Sequence, residues 1–327
     1  MPLMPEGSSL YVNAPLTNIS VAYQQRANDY IAGQVFPVVP VNKQGGLFYK
    51  YDKGDWFRSI AGVRAPATET PGGGWNVTTD SYFSDVYGVH KDVDDQTRAN
   101  ADSMFSLDRD ATQWVTQNLL LKRDQVFVST YMTTGVWGLD VTGDTSVGSN
   151  QVIRWDLANA TPIEDIRAQS TRIKSQTGYR PNTLILGPAV YDVLLDHPDI
   201  LERIKYTERG MIGNALLASL FGVEQVLVAD AIENTQAQSA GADTPTMGFM
   251  VGKSALLMYV NRTPSLMQPS AGYIFGWNGL LGAQATSTRI KKFRMEPIES
   301  DRIEGEMAWD MKIVSPDLAT YFATIVS

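Results

Sequence analysis

The chain has 327 residues, of which 43% are hydrophobic and 19% are charged, a composition typical of a folded protein with a large core. Its net charge of -8 argues against a primary role in binding nucleic acid or an anionic membrane. The absence of cysteine excludes disulfides, thiolate metal sites and cysteine nucleophiles. We expect neither a classical signal peptide nor a membrane-spanning segment.

The first 46 residues predict an extended arm. Proline, asparagine, serine and threonine recur there among scattered apolar residues. The stretch VFPVVPV at 35–41 places prolines where a helix or a central strand would not accept them. A terminal arm stays ordered only when its apolar side chains find a surface. Another subunit is one source of such a surface, so the arm favours an oligomeric protein.

Two alternating segments predict a long two-stranded excursion. Leu47 and Tyr49 share one face of the first strand, and a second alternating run starts at Trp75 and continues towards Val89. The intervening stretch ends in RAPATETPGGGWNV at 64–77, where prolines and three glycines predict an adaptable tip. An isolated two-stranded ribbon is marginally stable in water. We therefore expect this ribbon to lie on a neighbouring molecule.

The longest helix is predicted for residues 106–132. Ser106 stands at the N-cap position, Asp108 and Asp110 complement the helix dipole, and no glycine or proline interrupts the segment. The apolar side chains form a stripe along it, made of Leu107, Ala111, Val115 and Leu119 and widened by Trp114, Leu121 and Val128. Such a stripe is typical of a helix that packs along a sheet or core and carries no chemistry.

Residues 161–230 predict a compact α/β unit. A capping box of Thr161 and Glu164 begins a helix, and Gly178 ends it. Apolar strands, such as TLIL at 183–186, then alternate with short helical segments.

The last part of the chain adds a loop and a strand to this pattern. The small residues of 237–246 predict a loop. Further on, Met307, Trp309, Met311 and Ile313 alternate with polar residues, which predicts one half-buried strand.

Motifs for catalysis are weak in this sequence. GKS at 252–254 resembles the end of a phosphate-binding loop, but Met247 stands where the first glycine of that loop belongs, so we interpret it as a polar turn. Two histidines, His90 and His197, are too few for a histidine metal site, and we assign them structural or surface roles. We predict no catalytic residue, no metal site and no cofactor.

A basic segment and an acidic segment follow each other near the C-terminus. The carboxylates of 296–306 could bind Ca²⁺ or Mg²⁺, but they lack the ligand spacing of a calcium loop. The basic RIKKFR at 289–294 could contact a phosphate, or pair with the acidic segment across strands or across subunits. We favour pairing because the whole chain is acidic and no aromatic stacking platform accompanies the cluster.

The order of these parts resembles that of the major capsid proteins of tailed bacteriophages. The most specific stretch is GYRPNTLILGPAVYDVLLDHPDILERIKY at 178–206, which is similar to the helix, YRPN, strand and helix at the entrance of that family's axial domain. The stretches at 16–41 and 64–77 are similar to its N-terminal arm and extended loop. The resemblance implies an α+β phage major capsid fold with an N-terminal arm, an extended β-hairpin loop, a peripheral domain with a long spine helix, and an axial α/β domain.

The resemblance also implies a division of the chain and a function. The parts would be the arm 1–46, the extended loop 47–92, the peripheral domain with its spine helix 93–155, the axial domain 156–285, and C-terminal strands 286–327 that return to the peripheral domain. Copies of the chain would form hexamers and pentamers and assemble into the icosahedral head of a tailed phage. The head would enclose double-stranded DNA without binding it specifically.

The implied partners follow from a capsid role. The short arm cannot hold an internal scaffold, so we expect a separate scaffolding protein, together with a portal and, as a further candidate, a decoration protein. No membrane is involved, and the shell would assemble in the cytoplasm of the bacterial host to become part of the virion. The candidates for subunit contacts are Trp56, Phe57, Arg58, Arg64, Glu69, Trp75, Arg289, Lys291, Lys292, Arg294, Glu299, Asp301 and Arg302.

Two alternatives remain at this point. A bacterial nanocompartment shell protein of the encapsulin type shares the fold but encloses cargo enzymes. An α/β hydrolase or nucleotide-binding enzyme is disfavoured by the missing motifs, and a deep pocket with converging titratable groups would favour it again.

Overall fold

A computed structural model of the chain describes residues 25–101, 106–204, 213–236, 245–265, 268–281 and 288–327. The first 24 residues of the predicted arm and most of the predicted loop at 237–246 lie outside them. The helices of the described residues are α1 Ala32–Val35, α2 Lys53–Trp56, α3 Asp95–Asn100, α4 Leu107–Tyr131, α5 Pro162–Thr177, α6 Pro188–Leu195, α7 Pro198–Ile204, α8 Asn214–Phe221 and α9 Asn278–Leu281. The strands are β1 Val38–Val41, β2 Gly45–Tyr51, β3 Val77–Phe83, β4 Asp85–Asp94, β5 Asp140–Asp144, β6 Gln151–Ile153, β7 Thr183–Leu186, β8 Gln225–Val228, β9 Ile232–Asn234, β10 Met247–Phe249, β11 Ala255–Met258, β12 Gly272–Trp277, β13 Thr288–Met295, β14 Ser300–Ile313 and β15 Ala319–Ala323.

Two larger sheets and two ribbons organise these strands. One sheet has the order β1-β12-β14-β13, and β4 pairs with the edge of β14 opposite to β13. The other is a six-stranded sheet with the order β6-β5-β15-β11-β7-β8. The ribbons are β2-β3 and β9-β10. The predicted α+β class is confirmed.

The spine helix α4 lies along β4 and β14 of the five-stranded sheet, as its stripe predicted. Val115 and Leu119 are buried there, and the backbone of Gly305 on β14 lets them come close, because a Cβ at 305 would stand 2.3 Å from a methyl carbon of Val115. Trp114 does not belong to the stripe, since 47% of its surface is exposed. It follows Ala111 by three residues but stands 100° around the helix from Val115, and this turns its indole outward.

The α/β unit follows the sequence prediction closely. Helix α5 ends at Gly178, whose φ of 82° lies in the left-handed region that favours glycine. The strand β7 is buried along its whole length and lies inside the six-stranded sheet, where continuous apolar runs are expected. The predicted capping box of Thr161 and Glu164 is not formed. The helix begins directly after Thr161, but the Thr161 side chain makes no capping hydrogen bond.

The two sheets divide the chain differently from the predicted boundaries. The C-terminal part implied by the resemblance, 286–327, contributes strands to both sheets, and of these β13 and β14 join the five-stranded one. The last strand, β15, instead lies between β5 and β11 in the six-stranded sheet. The strands β5 and β6 lie in the predicted peripheral part of the chain but also belong to the six-stranded sheet. Conversely, β12 lies in the predicted axial part but belongs to the five-stranded sheet. Strand partners so distant along the chain cannot be deduced from local periodicity.

The described part of the arm packs on its own subunit, so the surface that its apolar side chains need is provided here by the same chain. Ile31, Ala32, Val35 and Phe36 are buried in the core beneath α4. Directly after them β1 pairs in parallel with β12 at the edge of the five-stranded sheet. An edge position is where a strand that contains a proline is tolerated.

A buried carboxylate holds this part of the arm in place. Asp124 of α4 accepts hydrogen bonds from the backbone N–H groups of Ile31, at 2.7 Å, and Ala32, at 3.0 Å. Its neighbour Arg123 is also buried and lies against Gly33. The burial of Arg123 could have been predicted from the sequence, because Arg123 continues the every-fourth-residue series of the apolar stripe.

Among the described helices, none has both the length and the apolar character needed to cross a membrane.

Candidate subunit interface

The ribbon of β2 and β3 has two faces of different character. Its strands pair antiparallel from Gly45 opposite Phe83 to Tyr51 opposite Val77. Because side chains alternate across a strand, and directly opposed residues share a face, Tyr51 and Val77 lie on one face. Leu47 and Tyr49 lie on that face too.

The other face of the ribbon packs on the subunit's own body. The rings of Phe48 and Tyr82 stack on Phe275 of β12, with centroid distances of 5.4 Å and 4.5 Å. Beside them Lys50 and Asp80 form an ion pair of 2.6 Å. The hydrogen bond from Lys50 is the main reason why the pKa of the Asp80 carboxyl lies below its usual value. This inner face therefore already has a partner within the chain.

The ribbon is anchored at its base by polar contacts. The backbone N–H of Phe83 donates to Asp310 on β14, at 2.9 Å. The buried hydroxyl of Ser84 donates to the backbone carbonyl of Phe275, at 3.0 Å. The predicted second strand, which continued towards Val89, is thus broken at Ser84: β3 belongs to the ribbon and β4 to the five-stranded sheet.

The outward face of the ribbon is mainly apolar and is uncovered, with two hydroxyl side chains of β3 among its apolar residues. Leu47 and Tyr49 expose 68% and 66% of their surfaces, and Tyr51 and Val77 are also exposed. Scattered exposed apolar residues are common, but a contiguous apolar face marks a site of protein contact. The outward face has the character of a surface that another molecule covers.

The tip of the loop carries six of the predicted contact residues. All of them are exposed, namely Trp56, Phe57, Arg58, Arg64, Glu69 and Trp75. The short helix α2, which the sequence analysis missed, brings the ring of Trp56 to 5.9 Å from that of Trp75. Asp52 accepts a hydrogen bond from the backbone N–H of Gly54 at the start of this helix, and an aspartate two residues before a glycine could have indicated it.

Two side chains near the tip contact the subunit's own body. Lys53 forms an ion pair with Asp317, and the ring of Phe57 lies against Gly178 at the end of α5. The loop is therefore held at its base and at the start of its tip, whereas the outward face between them stays uncovered.

The basic and acidic segments near the C-terminus pair across strands within the chain. Arg289 and Lys291 of β13 reach Glu306 of β14, at 2.7 Å and 2.8 Å. The hydrogen bond from Lys291 is the largest contribution that lowers the pKa of Glu306. Similarly, Lys292 lies 3.3 Å from Asp301. This is one of the two pairings predicted from the sequence.

The remaining predicted contact residues of this region lie near these ion pairs between β13 and β14. Arg294 pairs with Asp95 at 2.6 Å and Arg302 with Asp92 at 2.7 Å, while Glu299 is exposed in the turn between β13 and β14. Their role in subunit contacts stays a prediction.

The residues considered for chemistry occupy structural positions. His197 is buried, and its Nδ1 accepts a hydrogen bond from the backbone N–H of Asp199 near the start of α7. The GKS stretch is a turn that leads into β11, as predicted. In the described part of the chain, no three His, Cys, Asp or Glu side chains cluster in a way that could hold a metal ion.

We expect the pair of Arg302 and Asp92 to contribute measurably to stability. Two hydrogen bonds, of 2.7 Å and 2.9 Å, join them, and the bond from Arg302 is the main cause that lowers the pKa of Asp92. A double-mutant cycle of Arg302→Ala and Asp92→Ala should give a coupling of about 1 kcal/mol at neutral pH.

The coupling should depend on pH in a defined direction. Because the pKa of Asp92 is lower in the folded than in the unfolded state, ionisation of Asp92 stabilises the folded protein at pH values above its unfolded pKa of about 4. This contribution is lost as the pH falls through the pKa of Asp92 in the folded state. Urea unfolding at pH 7 and near pH 2 measures the change. The more exposed pair of Arg294 and Asp95 is the control and should give a smaller coupling. A coupling for Arg302 and Asp92 that is unchanged at low pH would contradict the assignment.

Comparisons with known proteins place this geometry in a class. Residues 139–245 match the family model described as phage major capsid protein E. The major capsid protein of Burkholderia phage BcepMu is 25% identical over 301 residues, which cover 89% of this chain and 91% of the relative.

Solved structures share the fold over nearly the whole chain. A phage-related protein from Bordetella bronchiseptica RB50 aligns with a TM-score of 0.67 at 20% identity, covering 92% of this chain and 94% of that one. A capsid chain of cyanophage P-SCSP1u gives 0.60 at 11% identity with 99% of both chains covered. An encapsulin from Synechococcus elongatus PCC 7942 gives 0.57 at 8% identity, covering 100% and 98%.

The fold is thus that of the phage major capsid proteins, a class of shell-forming subunits. Within this class, the sequence matches confirm the predicted resemblance to the major capsid proteins of tailed phages.

Proposed function

We propose that this protein is the major capsid protein of a tailed bacteriophage, whose copies assemble into the icosahedral head. The observation that carries the proposal is the two-faced ribbon. Its inner face is satisfied by Phe275 of the same chain, whereas its outer face presents Leu47 and Tyr49 to solvent. A ribbon that is rigidly anchored and apolar on the outside gains stability when another copy covers it.

The same surface would recur in every copy. Contacts of moderate strength, repeated over a closed lattice, stabilise a shell as a whole. Hexamers and pentamers place one subunit in several slightly different settings. The glycines at the tip would let the loop adapt to them.

The net negative charge of the chain supports the proposal that the shell encloses DNA. Each phosphate that a protein neutralises adds salt-dependent affinity, which would slow packaging and release of a genome. A net charge of -8 avoids this, and the cations of 289–294 are paired with carboxylates of the chain itself. We propose that the head encloses double-stranded DNA without specific binding, with a separate scaffolding protein, a portal and, where present, a decoration protein as partners during assembly in the host cytoplasm.

Electron microscopy of the purified protein, expressed alone and then with its neighbouring genes, tests the proposal. Closed icosahedral particles tens of nanometres across are expected in at least one condition. The alternative of a nanocompartment has support from the shared encapsulin fold. The contents of the particles, DNA or protein cargo, distinguish the two. A compact monomer or small oligomer in both conditions would contradict both shell functions.

A further inference from the structure

The tip of the loop contains an open notch between two tryptophans. Asp55, Trp56 and Ile60 form one side, and Gly73, Gly74 and Trp75 form the other, around a space of about 250 Å³. A water molecule occupies about 30 Å³ in the liquid, so this space can receive the end of a long side chain. The notch is a shallow depression that is open to solvent.

The glycines of the tip have a specific role in this notch. A Cβ at Gly73 would stand 2.2 Å from the Cδ1 of Ile60, so a side chain at this position would require the exposed isoleucine to change its rotamer. At Gly74 no atom lies within 4 Å of the corresponding position, so a side chain there would extend into open space beside the notch. Larger residues at positions 73 and 74 would therefore change the shape of the notch or extend beside it.

The chemistry of the walls selects a cation. The indole rings of Trp56 and Trp75 pack on each other with their centroids 5.9 Å apart, so a cation would contact the outside of this aromatic pair. An aromatic ring attracts an ammonium or guanidinium group within about 6 Å. One carboxylate oxygen of Asp55 accepts the backbone N–H of Asn76 at 2.9 Å, and within the described residues Asp55 forms no ion pair. A neutral apolar occupant would bury this carboxylate without an opposite charge, which is costly. A cationic side chain would stack on the indoles and pair with the carboxylate.

The notch also belongs to the surface proposed for subunit contact. It lies at the tip of the ribbon whose outward face is apolar and uncovered, and the ring of Trp56 stands 6.1 Å from that of Tyr51 on this face. A molecule that covers the ribbon would also reach the notch.

We propose that this notch binds an arginine or lysine side chain of a second copy of the chain. The inference rests on the proposed shell function and specifies which chemistry the tip recognises in the neighbouring subunit. The contact would give the otherwise apolar interface a charged anchor that fixes its register.

A charge-neutral variant tests the role of the carboxylate. Asp55→Asn keeps an oxygen for the N–H of Asn76 but removes the charge, and it should raise the subunit concentration needed for half-maximal particle formation at least fivefold. Asp110→Asn removes one charge from the exposed first turn of α4, outside the notch and the predicted contact residues, and should change this concentration less than twofold. Near-ultraviolet circular dichroism of unassembled subunits reports whether the tryptophan environment is preserved. Equal effects of the two variants would overturn the proposal.

Photo-crosslinking identifies the occupant directly. Trp75→p-benzoylphenylalanine keeps an aromatic group in the notch, and particles assembled from a mixture of isotopically heavy and light subunits separate crosslinks between chains from those within one chain. We expect crosslinks between chains to a segment that places an arginine or lysine at the contact. Crosslinks confined to one chain, or made to a contact without a basic residue, would overturn the inference. If wild-type particles do not form at all, the proposed function fails first.

Discussion

Replacing Asp124 by alanine should lower the free energy of unfolding by about 2 to 6 kcal/mol, because two buried N–H groups lose their acceptor at a cost of about 1 to 3 kcal/mol each. The substitution leaves the N–H groups of Ile31 and Ala32 without their acceptor and Arg123 buried without a neighbouring negative charge. The apolar residues of α1 would then lose the contact that fixes them under α4. Unfolding in urea, followed by far-ultraviolet circular dichroism, measures the loss.

A control on the same helix separates this effect from a general loss of helix charge. Asp110 lies in the first turn of α4 and is exposed. Asp110→Ala removes only a favourable interaction with the helix dipole, so we expect a loss below about 1 kcal/mol. Equal losses for the two variants would show that Asp124 does not anchor the arm. Faster proteolysis near Ile31 in Asp124→Ala would locate the opening.

The same residue should make stability depend on pH. Burial raises the pKa of Asp124 to about 6, although the hydrogen bonds from Ile31 and Ala32 and the charge of Arg123 act in the opposite direction. Because the pKa of Asp124 is higher in the folded state, the neutral carboxyl contributes stability that is fully present at pH values below the unfolded pKa of about 4. This stability is lost as the pH rises through the folded pKa of about 6. Burial raises the pKa of Tyr30 to about 12, so this neighbour stays neutral throughout.

Asp124→Asn provides the reference for this pH dependence, because an amide does not titrate. The difference in unfolding free energy between wild type and this variant should fall by about 3 kcal/mol from pH 4 to pH 7, the equivalent of a shift of about two pKa units. Parallel stability curves of the two proteins over this range would contradict a raised pKa.

Placing a charge on the outward face of the ribbon should prevent shell formation without unfolding the subunit. Tyr49 has 66% of its surface exposed in the isolated subunit, so Tyr49→Glu costs the fold little. In an assembled shell the glutamate would be buried against an apolar partner surface, where an unpaired charge is strongly unfavourable. We expect particles to disappear in sedimentation and electron microscopy, while the unfolding midpoint stays within a few degrees of wild type.

Two further substitutions make this test specific for the outward face. Tyr49→Phe keeps the ring and should still assemble. Phe48→Ala acts on the opposite face, where it removes a half-buried ring that stacks on Phe275, and should destabilise the subunit by about 1 to 3 kcal/mol. Normal particles from Tyr49→Glu would show that the outward face is not a subunit contact.

Local patterns in the sequence were sufficient for much of the secondary structure. The every-fourth-residue stripe predicted α4, the proline and glycine at its ends bounded α5, and alternation predicted the two faces of the ribbon. These signals lie within a few residues of one another, and helix and strand geometry converts them directly into buried and exposed faces. The charged segments at 289–294 and 296–306 were also paired correctly, because a short turn joins them.

What the sequence by itself determined is therefore the longer elements, such as α4, α5 and the strands of the ribbon, and the face on which most of their side chains lie. Only the tertiary structure decided which face of the ribbon turns inward, because both faces carry aromatic residues and the choice depends on Phe275, far along the chain. It also decided that the arm lies on its own core through Asp124, and that β15 enters the six-stranded sheet. These outcomes depend on contacts between residues distant in sequence, whose energies no local pattern contains.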